Sequence, residues 1–180
     1  AEEFMYQAIK RFEADRSGGK DGYSYIFFVG RENYPLSWVE NPVYEWGKAQ
    51  VLQEGGDVVL VGSGVLLNRA IEAGKQLAEA GVKATVINNP FINRVDVDTI
   101  GNAVQATGGK LVAIEDHQII GGMGGQLSHA LSDSGIAHRI KTLGINGDFG
   151  QSAYKADHLY EKNSLSVEGV VAAAQELLAG

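Results

Sequence analysis

The chain has 180 residues, a formal net charge of −7 and no cysteine. That length suits one domain, or one domain with part of another, and buries enough surface to hold a core without staples. The missing cysteines remove disulfides and thiolate metal sites, and the acidic balance argues against a broad nucleic-acid or anionic-membrane surface. With no secretory leader pattern and no apolar run near ~20 residues, the sequence reads as a soluble, cytoplasmic protein.

In chain order, Phe4, Met5, Ala8, Ile9 and Phe12 form an apolar stripe, which predicts a helix over 2–14. Ser17 to Gly22 is a loop, and the aromatic and β-branched run Tyr23 to Val29 predicts a strand. From Gly30-Arg31-Glu32-Asn33 to about Tyr44, with prolines at 35 and 42, the composition is that of a linker. Lys48 to Leu52 predicts an extra strand before the turn at Glu54-Gly55-Gly56. Val58 to Val61 is a short continuous apolar run, the pattern of a parallel strand buried on both faces. Gly62-Ser63-Gly64 then turns the chain into a helix with Leu67, Ala70, Ile71, Gly74, Leu77 and Ala78 on one face.

Further on, Lys83 to Asn88, Leu111 to Ile114 and His138 to Leu143 predict three more strands. Asp96 or Asp98 caps a helix carrying Val97, Ile100 and Val104. The run Gly121 to Gly125 leads into a helix with Met123, Leu127 and Leu131 inward. Residues 153–162 read as helical, and Ser166 caps a last helix with Val167, Val170, Val171, Ala174, Leu177 and Leu178 inward. Strands starting near 58, 83, 111 and 138 recur at the length of a βαβ unit, ~30 residues. The fold class is therefore α/β: a doubly wound, mainly parallel five-stranded sheet with helices on both faces, preceded by a helix and strand that belong to something else. The boundaries are 1–34 for that remnant, 35–55 for linker and extra strand, and 56–180 for the α/β domain.

In such sheets ligands gather at the carboxyl ends of the strands, which here carry Gly62-Ser63, Asn88-Asn89, Glu115-Asp116-His117 and Gly144. Gly62-Ser63-Gly64 is not a dinucleotide fingerprint: Leu67 stands where the third glycine is needed, and Asn88-Asn89-Pro90 where a ribose-binding acid belongs. Glu115-Asp116-His117 reads either as an acid/base or metal site or as a set of caps for the next turn. Gly121 to Gly125, with Gly121 and Gly122 leading, forms either an anion-binding nest at a helix N-terminus or a close approach of helix to sheet. Ser128 and His129 make no triad, since neighbouring helix positions diverge. Arg139 and Lys141 alternate with Ile140 and Leu143 as ordinary solvent-facing strand residues. Arg31, directly after an apolar strand, has the guanidinium shape that holds a phosphate or carboxylate, or else forms a surface ion pair.

Several of these stretches together resemble a known family. Tyr25 to Asn33 resembles the strand and Ser-Arg-x-x-Asn-like segment that closes the pyrimidine-binding domain of transketolases, with Gly30 in place of the usual serine. Gly56 to Gly64, Val112 to His117, Gly121-Gly122-Met123-Gly124, Asp148 to Ser152 and the Tyr160 to Val171 segment resemble successive motifs of the transketolase C-terminal domain. Deoxyxylulose phosphate synthases and 2-oxo-acid dehydrogenase beta subunits end in the same domain. In the latter it acts as an interaction module.

The resemblance implies a C-terminal fragment of an enzyme of the pentose phosphate pathway that moves a two-carbon ketol unit between sugar phosphates. It implies a homodimer with the remaining transketolase domains as partners, and no nucleic-acid or membrane partner. Thiamine diphosphate and a divalent metal (Mg or Ca) would bind in the complete enzyme, with no cofactor, metal or catalytic residue in this chain. Arg31 would hold the substrate phosphate, and Ser63, Glu115, Asp116, His117, Gly121 and Gly122 would line an interface or strand-end cleft.

Overall fold

A computed structural model of the protein describes residues 2–30 and 44–180. Five strands, β1 (Gln50–Gln53), β2 (Val58–Gly62), β3 (Ala84–Asn88), β4 (Lys110–Gln118) and β5 (Arg139–Ile145), form one sheet in the order β1-β3-β2-β4-β5. β2 pairs in parallel with β3 from Val58 opposite Ala84 to Gly62 opposite Asn88, and with β4 from Val59 opposite Leu111. β5 extends the sheet in parallel beyond β4, while β1 closes the other edge antiparallel to β3.

The helices among the described residues are α1 (Glu2–Ser17), α2 (Leu67–Glu79), α3 (Val97–Ala106), α4 (Met123–Asp133), α5 (Ala156–Lys162) and α6 (Val167–Ala179), with a 3-10 turn, Gly64–Leu66, leading into α2. Successive strand residues face opposite sides, so each apolar run feeds two cores. Val58, Leu60, Val86, Val112 and Ile114 pack with Ala70, Leu77, Val170 and Leu177 of α2 and α6. Val59, Val61, Ile87, Leu111 and Ala113 pack with Ile100, Val104, Met123, Leu127 and Leu131 of α3 and α4. This doubly covered sheet is why Val58 to Val61 reads as unbroken apolar sequence rather than an alternating one.

Caps and ties finish the frame. Asp96 caps α3 by accepting from Thr99 N at 3.4 Å, accepts from Ala49 N at 3.0 Å, and meets Lys48 Nζ at 3.3 Å. One buried carboxyl group thus anchors both a helix start and the lead-in to β1. Burial works against its charge, but the hydrogen bonds from Thr99, Ala49 and Lys48 outweigh it and hold the Asp96 carboxyl below the usual carboxylate range. Ser166 caps α6 by accepting from Gly169 N at 3.2 Å.

Several expectations need correction. Ala78 is exposed and Ile71 only half-buried, because the inner face of α2 runs instead through Ala73. Arg139 and Lys141 are exposed, as expected, and each also reaches α6: Arg139 donates to the Leu177 carbonyl at 2.7 Å and Lys141 pairs with Glu176. The largest correction concerns Tyr23 to Val29, which forms no strand. β-propensity is realised only beside a strand that completes the ladder, and none of the described strands lies against this segment. α1 does form, and its Phe4 packs edge-on against Tyr44, Trp46 and Phe91 with ring centroids 5.3, 6.1 and 5.0 Å away. Arg31 and the linker residues up to 43 lie outside the described residues.

Candidate functional site

The carboxyl edge of the sheet is where the fold predicts a site, and β4 reaches furthest into it. Glu115, Asp116 and His117 stand within the end of β4 rather than in a loop after it. Alternation along a strand sends Asp116 to the opposite face from Glu115, and the three side chains have different partners. Glu115, only 4% exposed, turns towards α4, where its Oε2 accepts from Met123 N at 2.6 Å and its Oε1 from Gly124 N at 3.0 Å. The first amides of α4 are thereby satisfied by an internal carboxyl group, at the helix end that favours negative charge.

Asp116 faces the other side and accepts from the Tyr160 hydroxyl at 2.9 Å. Tyr160 lies on α5, which Arg69 of α2 also grips through Asp157 at 2.5 Å, so α5 is fastened over the end of β4 on that face. His117 is exposed and, among the described residues, its ring nitrogen meets the carbonyl of Gln118 at 3.1 Å.

The glycine run fits the same picture. A Cβ at Gly122 would fall 2.5 Å from Glu115 Oε1, and one at Gly124 would fall 2.4 Å from Thr142 Cγ2 of β5. Gly122 makes room for the capping carboxyl, and Gly124 lets α4 lie close on the sheet. Close approach, rather than an anion nest, is what this stretch provides, because Glu115 already occupies the helix end. Gly121 supplies the turn at φ 80°, and Ser63 precedes the 3-10 turn without a side-chain cap. The structure thus joins Glu115 with Gly122, sends Asp116 elsewhere, and leaves His117 and Ser63 without a shared centre.

Two features escaped sequence reasoning. Gln118 clamps the loop after β5, donating to Asp148 O and accepting from Gly147 N, each at 3.0 Å. Ser128 pairs with His138, at 3.1 Å from Nε2, rather than with its neighbour His129. His138 Nδ1 donates to the Ile136 carbonyl at 2.9 Å, and Nε2 shares a hydrogen bond with the Ser128 hydroxyl. Ser128 sits mid-helix, where the adjacent amides are engaged in helix bonds. The pair staples α4 to the start of β5. A period-2 reading of β4 would have separated Glu115 from Asp116, but nothing local in the sequence marks the other ends of these contacts.

Among the described residues no group of three or more His, Asp or Glu side chains could hold a metal ion. With the N-terminus of α4 engaged by Glu115, these residues do not fit a diphosphate–metal site.

A mainly parallel sheet with one antiparallel edge and helices on both faces is a doubly wound α/β architecture. The model for "Transketolase, C-terminal domain" matches residues 47–170, more than half of the chain, and the protein belongs to that family. It is 36% identical to a 1-deoxy-D-xylulose-5-phosphate synthase of Desulfitobacterium hafniense over 73% of this chain and 20% of that protein. It is 31% identical to a "Putative transketolase C-terminal section" of Methanocaldococcus jannaschii, over 73% of this chain and 40% of that one. A 6-deoxy-6-sulfo-D-fructose transketolase subunit of a Clostridium species is 30% identical over 87% of this chain and 48% of its own length. Among solved structures, one titled "Split gene transketolase, inactive beta4 tetramer" superposes with a TM-score of 0.76 at 32% identity, covering 83% of this chain and 48% of that chain. The chain thus spans a fifth to about a half of the length of these relatives.

Proposed function

We propose that the protein serves as the C-terminal part of a transketolase-type enzyme, supporting transfer of a two-carbon ketol unit between sugar phosphates without carrying the reacting groups. The observation that carries this reading is the self-satisfied strand edge: Glu115 is spent on α4 and Asp116 on Tyr160. Groups held this way give rigidity and leave no paired acid and base free for chemistry. Thiamine diphosphate and magnesium or calcium would bind in the partner domains, and the assembly would be cytoplasmic and contain two or more copies. Relatives named as a section and as a subunit support a transketolase divided between chains. In this reading residues 1–34 close the pyrimidine-binding domain, and Arg31 holds the substrate's terminal phosphate.

Two measurements test it. Calorimetric titration of the chain with thiamine diphosphate and magnesium gives no saturable heat; micromolar binding overturns the assignment of the cofactor to other domains. In the complete enzyme, Arg31→Ala lowers kcat/KM for phosphorylated acceptors by about one to two powers of ten, the worth of a charge-assisted hydrogen bond, and spares short unphosphorylated ones. Equal losses on both would remove the phosphate role. The synthase relative at 36% identity favours a second reading, in which the complete enzyme makes deoxyxylulose phosphate. Product analysis of the complete enzyme separates the two.

A further inference from the structure

The loop that leaves β5 carries Asn146-Gly147, the one Asn-Gly pair in the sequence. Asparagine is a labile side chain, and most so before glycine, whose unhindered nitrogen attacks the side-chain carbonyl and closes a succinimide ring. Both residues are exposed. A Cβ built at Gly147 would meet no atom of the described residues within 4 Å, so nothing crowds the approach. Gly147 holds φ 75°, where a side chain would be strained. The turn therefore keeps the very residue that makes its neighbour reactive.

The other described asparagines lack this combination. Asn89 precedes a proline, which has no N–H to lose. The nitrogen after Asn88 donates to the Gly62 carbonyl at 3.0 Å, the one after Asn93 to Phe91 O at 3.3 Å, and the one after Asn163 to Glu161 O at 3.1 Å. Asn68 and Asn102 lie within α2 and α3, followed by residues whose side chains shield the nitrogen. At Gly147 the holder is a side chain: the nitrogen donates to Gln118 Oε1 at 3.0 Å, while Gln118 Nε2 donates to the Asp148 carbonyl at 3.0 Å. Gln118 is set in place at the end of β4, where it pairs with Ile145 and the next nitrogen, Ile119 N, donates to Ile145 O at 3.0 Å. A nitrogen whose proton is engaged by Gln118 is not free to attack, so this contact protects Asn146.

We propose that Asn146 is a self-modification site that deamidates through a succinimide, and that Gln118 sets its rate by holding the attacking nitrogen. Gly147 N loses its proton and bonds to Asn146 Cγ, the Cγ–Nδ2 bond breaks, and the side-chain nitrogen leaves with that proton as ammonia. Water then opens the ring: cutting at Cγ gives aspartate, and cutting at the main-chain carbonyl gives isoaspartate. Either product sets a new carboxylate close to Asp148. Isoaspartate also inserts a methylene into the main chain, so that Gly147 N and Asp148 O no longer both reach Gln118, and the loop after β5 is released from β4. Only this chain's own fold is involved, so the site stands or falls independently of the transketolase reading.

Ageing the full folded chain in warm, mildly alkaline buffer tests this. Peptide mapping reads the amide-to-acid mass change, isoaspartyl methyltransferase labels the rearranged product, and hydroxylamine cleaves a succinimide between Asn146 and Gly147. Wild type gains acid at Asn146 ahead of every other asparagine, and Asn146→Gln forms no such product. Gln118→Ala accelerates the reaction about fivefold, the weight of one net hydrogen bond placed in the barrier, while Asn163-Ser164 keeps its wild-type rate. A second comparison needs no variant: unfolding wild type in urea removes the clamp and raises the Asn146 rate by at least as much. Another asparagine reacting first in the folded chain, or unfolded chains reacting no faster than folded ones, would overturn the proposal. So would an unchanged rate in Gln118→Ala, or equal acceleration at Asn146 and Asn163, which would assign the effect to general loosening rather than to the held nitrogen.

Discussion

The α/β body from Tyr44 onward and the first thirty residues have equally apolar stretches and opposite fates. Val58 to Val61 is wholly buried, while Tyr23, Ile26, Phe28 and Val29 are each more than half exposed. Both runs have strand composition. What differs is company: β2 lies between β3 and β4 and under helices on both sides, whereas among the described residues 23–29 meets α1 and, through Tyr25, the ring of Trp46, but no strand. The contrast teaches that a strand is a property of a neighbourhood. Side-chain preference becomes structure only where a second backbone completes the hydrogen bonds and a second layer removes water.

The comparison can be broken from the body's side first. Leu60→Ala, at a fully buried position in the α2–α6 core, should cost about 3–5 kcal/mol through lost transfer energy and the cavity left behind, read as a fall in urea midpoint. Glu115→Ala leaves the amides of Met123 and Gly124 without their acceptor in a buried place and should cost about 2–4 kcal/mol. Its additional sign is faster amide exchange at the start of α4.

Asp96→Asn should cost about 1–2 kcal/mol at neutral pH, and its effect carries a pH signature. The Asp96 carboxyl titrates lower in the folded chain than in the unfolded one, so the unfolded state binds the proton more readily. The stabilisation is fully present above the ordinary carboxylate value, ~4, and is lost as pH falls through the folded value. Urea midpoints of wild type and Asp96→Asn should therefore converge under acid, and a constant gap down to low pH would contradict the assigned hydrogen bonds. At the other extreme, Ile26→Ser should change the melting of the body by no more than about 0.5 kcal/mol, as expected of an exposed side chain. A large loss there would mean that the N-terminal segment is part of the body's core.

Much of the body was legible because its local signals agree with its tertiary role. The Gly62-Ser63-Gly64 turn, the capping Ser166 and the apolar faces around Leu127 and Val170 each follow from short-range sterics, hydrogen bonding and periodicity. The candidate site was less so. Adjacency drew Glu115, Asp116 and His117 into one constellation, but in a strand neighbours point apart, and the partners that define each residue's role, Gly124 and Tyr160, lie 9 and 44 residues away. Likewise Ser128 finds His138 only because α4 is laid beside β5.

The sequence by itself determined the layer architecture, the sites of the turns and caps, and the strand-forming capacity of 23–29, since all of these depend on residues within a few positions of one another. Only the tertiary structure decided that Glu115 closes a helix end, that Arg139 and Lys141 bind α6, and that 23–29 forms no strand. Each of those outcomes depends on which distant backbone stands within hydrogen-bonding reach, and no short-range pattern encodes that distance.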